Sequence, residues 1–142
     1  MRWLLLDEVV AIEKKAQAKA ASHIPADVTL SPQLALIEMM AQTGALLLGA
    51  ESDFEQDLVF AKIESADFSE GCEPGQPVEI RATSENLRTD GAWLDGSVTC
   101  GDRRIASSRF LLMNVGSLRD DGNPVTFHEA FMRHFKIRDK VK

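Results

Sequence analysis

SPQLALIEMMAQTGALLLGA, residues 31–50, is the stretch whose reading decides the fold. Ser31 suits a helix N-cap, and Pro32 suits the first helical position, where its missing N–H costs nothing. Gly49 suits the C-terminal end. Between them Leu34, Leu36, Ile37, Met39, Met40, Ala41, Leu46, Leu47 and Leu48 leave no continuous polar stripe. A helix that is apolar on every side is buried. Gln33, Glu38, Gln42 and Thr43 interrupt it too often for a membrane span, so none is expected. Glu38 then sits in a core or at a buried interface, with Gln42 one turn later on the same face. A carboxylate there is costly unless it is paired, and such a setting is that of a general acid.

The totals allow one domain with its own core. The chain has 142 residues, 44% of them apolar and 27% charged, as in an ordinary soluble protein. A net charge of −6 argues against nucleic acid as a partner. The tail departs from that sign: Arg133, Lys136, Arg138, Lys140 and Lys142 face only Asp139. Cys72 and Cys100 match no CxxC or zinc spacing and read as two reduced structural thiols. The N-terminal MRWLLLDEVV is too short an apolar run for a signal-peptide core, which makes the cytoplasm the expected location. No group of His, Asp or Glu has metal-ligand spacing, and no cofactor is expected.

Outward from the helix the period changes. Residues 3–12 are apolar with Asp7 and Glu8 inside them, and residues 14–21 are rich in alanine and would suit a helix on propensity. Local signals leave strand and helix open there. Residues 23–30 contain Pro25 and read as a loop. After a polar linker at 51–56, Leu58-Val59-Phe60-Ala61-Lys62-Ile63 is a strand candidate. Residues 77–86 alternate, with Val78, Ile80 and Ala82 on one side and Glu79, Arg81 and Thr83 on the other. Asp90-Gly91 is a hairpin signal, residues 92–100 a strand, Gly101-Asp102 a second turn and residues 104–114 a further strand. Thr126-Phe127-His128-Glu129 has the form of a capping box, and the helix it would open carries Phe127, Phe131 and Phe135 at i, i+4 and i+8. The class is α+β: an antiparallel sheet wrapped around one long central helix. Residues 1–116 are expected to form that domain, and 117–142 a C-terminal extension with a short helix.

Three segments resemble the hot-dog fold, and within it the β-hydroxyacyl-acyl-carrier-protein dehydratase family. Leu4-Leu5-Leu6-Asp7-Glu8-Val9-Val10 resembles the family's opening strand, an apolar run into Asp-Arg-Val. Pro32 to Gln42 resembles its central helix, which starts at Pro-Gly and contains Glu-Ala-x-Ala-Gln. Val59-Phe60-Ala61-Lys62-Ile63, followed by Phe68 and Pro74-Gly75-Gln76, resembles its next strand and Pro-Gly-Asp turn. The similarity spans most of residues 4–115. It implies a homodimer or a larger assembly of dimers, with sites between protomers. It also implies a histidine base from a His-x-Pro-Gly loop, a helix carboxylate acting as acid, and helix N-terminal amides polarising the thioester carbonyl.

Carried over residue by residue, Glu38 matches the carboxylate and His23 the base. Pro32, Gln33, Leu34 and Gln42 match the substrate-binding helix start and its following turn. His23-Ile24-Pro25-Ala26 keeps the His-x-Pro spacing but has Ala26 where glycine is usual, and one extra residue separates His23 from Pro32. An alternative alignment ends the second strand at His23 and removes the catalytic loop. The implied activity is dehydration of 3-hydroxyacyl thioesters, carried on acyl carrier protein or coenzyme A, in fatty-acid or polyketide-type lipid metabolism. The alternatives are a non-catalytic acyl-thioester-binding pseudo-dehydratase subunit and a hot-dog thioesterase that uses Glu38 to activate water.

Overall fold

A computed structural model describes residues 4–26, 31–116, 126–127 and 129–142. Part of the loop before the helix (27–30), most of the link to the tail (117–125) and His128 of the capping box lie outside the described residues. The described elements are β1 (Glu8–Glu13), β2 (Gln17–His23), α1 (Pro32–Gly49), β3 (Asp57–Phe68), β4 (Pro77–Thr83), β5 (Gly91–Cys100), β6 (Arg103–Gly116), α2 (Glu129–His134) and α3 (Ile137–Lys140). The six strands form one antiparallel sheet in the order β1-β2-β4-β5-β6-β3.

The central helix forms where the sequence places it. Ser31 is extended, and its hydroxyl accepts from the Leu34 N–H at 3.2 Å. Thr43 is wholly buried and returns its hydroxyl to the Met39 carbonyl at 2.8 Å, so the one β-branched polar residue of the helix carries no unmet donor. The sheet covers the helix with alternate residues: Val78, Ile80 and Ala82 of β4, Ala92, Leu94 and Val98 of β5, Ala106, Phe110 and Leu112 of β6. The helix lies close on β5, where a Cβ added at Gly96 would come within 2.9 Å of Met40.

That close approach explains the alanine-rich segment. Residues 14–21 suit a helix on propensity, yet Ala18 and Ala20 belong to β2 and are fully buried. Small side chains there let α1 settle on the sheet, and tertiary packing overrides a local preference worth a few tenths of a kcal/mol per residue. Gly49 also has a different reason from the one the sequence suggests. It is right-handed, and the left-handed positions fall on Asp53 and Phe54 after a short 3-10 turn at Ala50–Ser52. Its missing side chain makes room for the Phe127 ring, which a Cβ would strike.

The tail docks on the same core. Phe127, Phe135 and Ile137 are buried, and the rings of Phe54, Phe127, Phe131 and Phe135 form a chain of contacts 5.2–6.3 Å apart. Thr126 spends its hydroxyl on the Leu58 N–H at 3.1 Å, and its own N–H donates to the buried Asp57 carboxylate at 2.7 Å. The helix expected across Phe127–Phe135 is broken: α2 ends at His134, and Lys136 is left-handed before α3. The chain end reaches the outer edge of β1, where the Lys142 N–H donates to the Ile12 carbonyl at 2.8 Å.

Cys72 and Cys100 are paired in a disulfide with Cα atoms 6.3 Å apart, which corrects the reading of two reduced thiols. The spacing of 28 residues hid the contact. The antiparallel return through β4 and β5 brings the end of β5 beside the β3–β4 loop.

Gly49→Ala tests the docking of the tail. Crowding against Phe127 is expected to cost about 1–3 kcal/mol in a denaturant titration. A neutral result would mean that the ring does not occupy that space in solution.

Candidate functional site

Glu38 lies in the second turn of α1 and is half-buried. Among the described residues its side chain has one hydrogen-bond partner, the Gln42 amide, whose Nε2 donates to Oε1 at 3.1 Å. Gln42 is held in turn by the Leu5 N–H, which donates to its Oε1 at 3.0 Å. The Leu5 carbonyl accepts from the buried Ser22 hydroxyl. One amide side chain therefore ties the carboxyl group to the backbone before β1 and, through it, to β2. This orients the Glu38 carboxylate through one oxygen and leaves the second without a partner among the described residues.

The start of α1 offers little free backbone. Pro32 has no N–H, Leu34 gives its own to Ser31 Oγ, and the Ala35 N–H goes to the Ser31 carbonyl at 2.9 Å. Gln33 supplies the remaining amide of this turn, and it stands beside Leu34, whose side chain is exposed.

His23 is the last residue of β2, as in the alignment without a catalytic loop. Ala18, Ala20 and Ser22 point at the core, so strand alternation turns His23 to the opposite face with Lys19 and Ala21. It is exposed, and its Nδ1 donates to Asp7 Oδ2 at 2.6 Å. Within one chain the structure joins Glu38 to Gln42 and His23 to Asp7, on two different faces of the sheet. Sequence reading missed Asp7 as a partner, because nothing in the spacing of Asp7 and His23 announces a contact between strand ends.

Two other surfaces are relevant. The outer face of the sheet has an open depression of about 560 Å³ lined by Glu79, Arg81, Ser97, Thr99 and Arg104. It is charged and lies across the sheet from Glu38. The free edge is apolar instead: β3 leaves Val59, Phe60 and Ile63 exposed, with Phe60 stacked at 5.5 Å on the core ring Phe110. The basic tail is partly neutralised, by Arg133 on Glu129 at 2.6 Å and Arg138 on Asp53 at 2.8 Å. No cluster that could hold a metal ion occurs among the described residues.

Gln42→Leu is expected to leave the Leu5 N–H and Glu38 without their partner. The cost should be about 1–3 kcal/mol by denaturation, with faster amide exchange at Leu5. Unchanged exchange would show that the bridge does not hold the segment.

No protein-family model and no curated sequence matches the chain, but solved structures do. A structure described as the dehydratase heterocomplex ApeI:P from Xenorhabdus doucetiae is similar with a TM-score of 0.64 at 16% identity, over 79% of this chain and 83% of that one. A hypothetical thioesterase from Streptococcus pneumoniae, solved with coenzyme A, is similar with a TM-score of 0.62 at 11% identity, over 78% and 86%. A mutant of the phenylacetic acid degradation protein PaaI from Thermus thermophilus also has a TM-score of 0.62, at 18% identity, over 76% and 92%. An antiparallel six-stranded sheet around one long buried helix, shared with these proteins, gives this chain the hot-dog fold.

Proposed function

We propose that the protein works on acyl thioesters, as a dehydratase-like protein in which Glu38 exchanges a proton with the 3-hydroxyl of the substrate. What supports this reading is the Glu38–Gln42–Leu5 bridge, which orients the one charged side chain of α1. Gln33, beside Pro32 and Leu34, supplies the amide for the thioester carbonyl. The sequence resemblance adds the substrate class, and the dehydratase and coenzyme A names among the structural neighbours agree with it. Residues 1–116 carry this site, and 117–142 are an appended cover. Acyl carrier protein or coenzyme A carries the substrate, in the cytoplasm.

The site needs a second chain. β3 is a twelve-residue edge strand with apolar side chains left in water, the kind of edge that pairs with another strand. At the other edge β1 is partly occupied by the chain end. Association through β3 closes as a homodimer and covers Phe60 and Ile63.

A second reading is favoured by His23. It points away from the helix face of its own chain, so Glu38 has no histidine beside it within one protomer, and dehydration would draw its base from the second chain. Glu38 alone can activate water on a thioester, which is hydrolysis. The same geometry fits a subunit whose partner supplies the histidine, or one that binds without reacting.

Product analysis separates these. A 3-hydroxyacyl thioester and its saturated counterpart are offered to the protein, and enoyl absorbance and thiol release are followed. Dehydration is expected on the first substrate, and Glu38→Gln is expected to lower turnover by about 10²–10⁴-fold with the fold intact. Thiol release from the saturated substrate would select the thioesterase, and unchanged turnover in Glu38→Gln would reduce the residue to a structural role. If the base is His23, His23→Ala falls with it.

In sedimentation, the wild type is expected to be dimeric at micromolar concentration and Ile63→Lys monomeric and inactive. A stable wild-type monomer would remove the two-chain site.

A further inference from the structure

Cys72 and Cys100 are the chain's only cysteines, and the fold brings them together from a loop and a strand end. Cys72 sits in the loop between β3 and β4, and Cys100 is the last residue of β5. The far end of the same loop grips the residue after His23 from both sides. The Ile24 N–H donates to the Gln76 carbonyl at 2.9 Å, and the Gly75 N–H donates to the Ile24 carbonyl at 2.8 Å. Between them the loop is closed on itself. The Gln76 side chain accepts from the Glu73 N–H at 2.8 Å, and the Gln76 N–H returns to the Glu73 carbonyl at 3.1 Å.

The chain that leaves Ile24 leads to Ser31, the cap of α1. Ser22, two residues before Ile24, contacts the Leu5 carbonyl, and Leu5 holds Gln42 and through it Glu38. The disulfide thus anchors the loop that holds the end of β2, and β2 supports the bridge to the carboxyl group. Both cysteines are half-buried and pack at the margin of the core, not within it. In a reducing compartment a bond of this kind is transient and senses redox state.

We propose that Cys72–Cys100 is a thiol-exchange site whose opening releases the end of β2 and so weakens the thioester site at Glu38. The exchange partner is a low-molecular-weight thiol. Its thiolate attacks one sulfur, the Cys–Cys bond breaks, and the second sulfur leaves as a thiolate and takes up a proton. A second thiolate then resolves the mixed disulfide, giving two protein thiols and one small disulfide. The link to Glu38 rests on the function proposed above, whereas the exchange site and the loosening of β2 do not.

The test equilibrates the full chain in glutathione buffers of stepped thiol-to-disulfide ratio. Free thiols are counted by alkylation and mass, amide exchange is read at Ile24, Gly75 and Gln76, and turnover is measured on the substrate pair. Far-ultraviolet dichroism checks the fold. The expected result is a reversible step of two thiols with amide exchange at Ile24 and Gly75 at least tenfold faster in the open state. Amides in the middle of β5 and β6 should stay unchanged. Cys72→Ser/Cys100→Ser should match the open state at every ratio. Two free thiols at every ratio, or an opened pair with unchanged exchange at Ile24, overturns the proposal. Equal turnover in both states overturns the link to Glu38. Absence of any turnover with a clear exchange response overturns catalysis by this chain alone and supports the redox site.

Discussion

The fold depends on covering a helix that has no polar side. α1 is buried along most of its length, and one curved sheet of six strands provides the cover. Covering it at close range needs small residues beneath it. Ala18 and Ala20 of β2 and Gly96 of β5 meet that need, and Gly44 on the helix makes room for the ring of Phe110. Each of these positions trades local preference for contact. Alanine is a weak strand former and glycine weakens either element, yet burial of Met39, Met40, Leu46 and Leu47 outweighs those losses.

The same constraint isolates Glu38. A carboxyl group on such a helix is tolerable only where the sheet is incomplete or where a partner is provided. Gln42 is that partner within the chain, and the half-buried setting gives the other oxygen a route to a ligand. The tail fits the same picture from the opposite end. It closes the core beside Gly49 with Phe127 and Phe135 and reaches the edge of β1, while the apolar edge of β3 stays open.

The outer face of the sheet shows what the helix does not touch. Arg109 lies over Trp93 at 5.4 Å and pairs with Glu64 at 2.9 Å and Asp95 at 3.2 Å, an exposed cluster of the kind that adds little to stability. His23 and Asp7 share that face. Their pairing spans two strand ends and orients the imidazole.

Much of this was legible in the residues. The limits of α1, its cap at Ser31, the alternation of β4 and the hairpins that follow are local properties, set by hydrogen bonding and side-chain period within a few residues. Glu38 and Gln42 are one turn apart and had to meet. What only the tertiary structure decided lies across long separations. Alanine-rich residues 14–21 became a strand because of what packs on them. Gly49 ends α1 where the sequence places the end, and it also leaves room for a ring 78 residues later. Thr126 gave its hydroxyl to β3, and His23 at the end of β2 met Asp7 before β1. Cys72 met Cys100 through the return of two strands. Local propensities amount to tenths of a kcal/mol, whereas a buried contact or a satisfied polar group amounts to one or more, so wherever they disagree the distant partner decides.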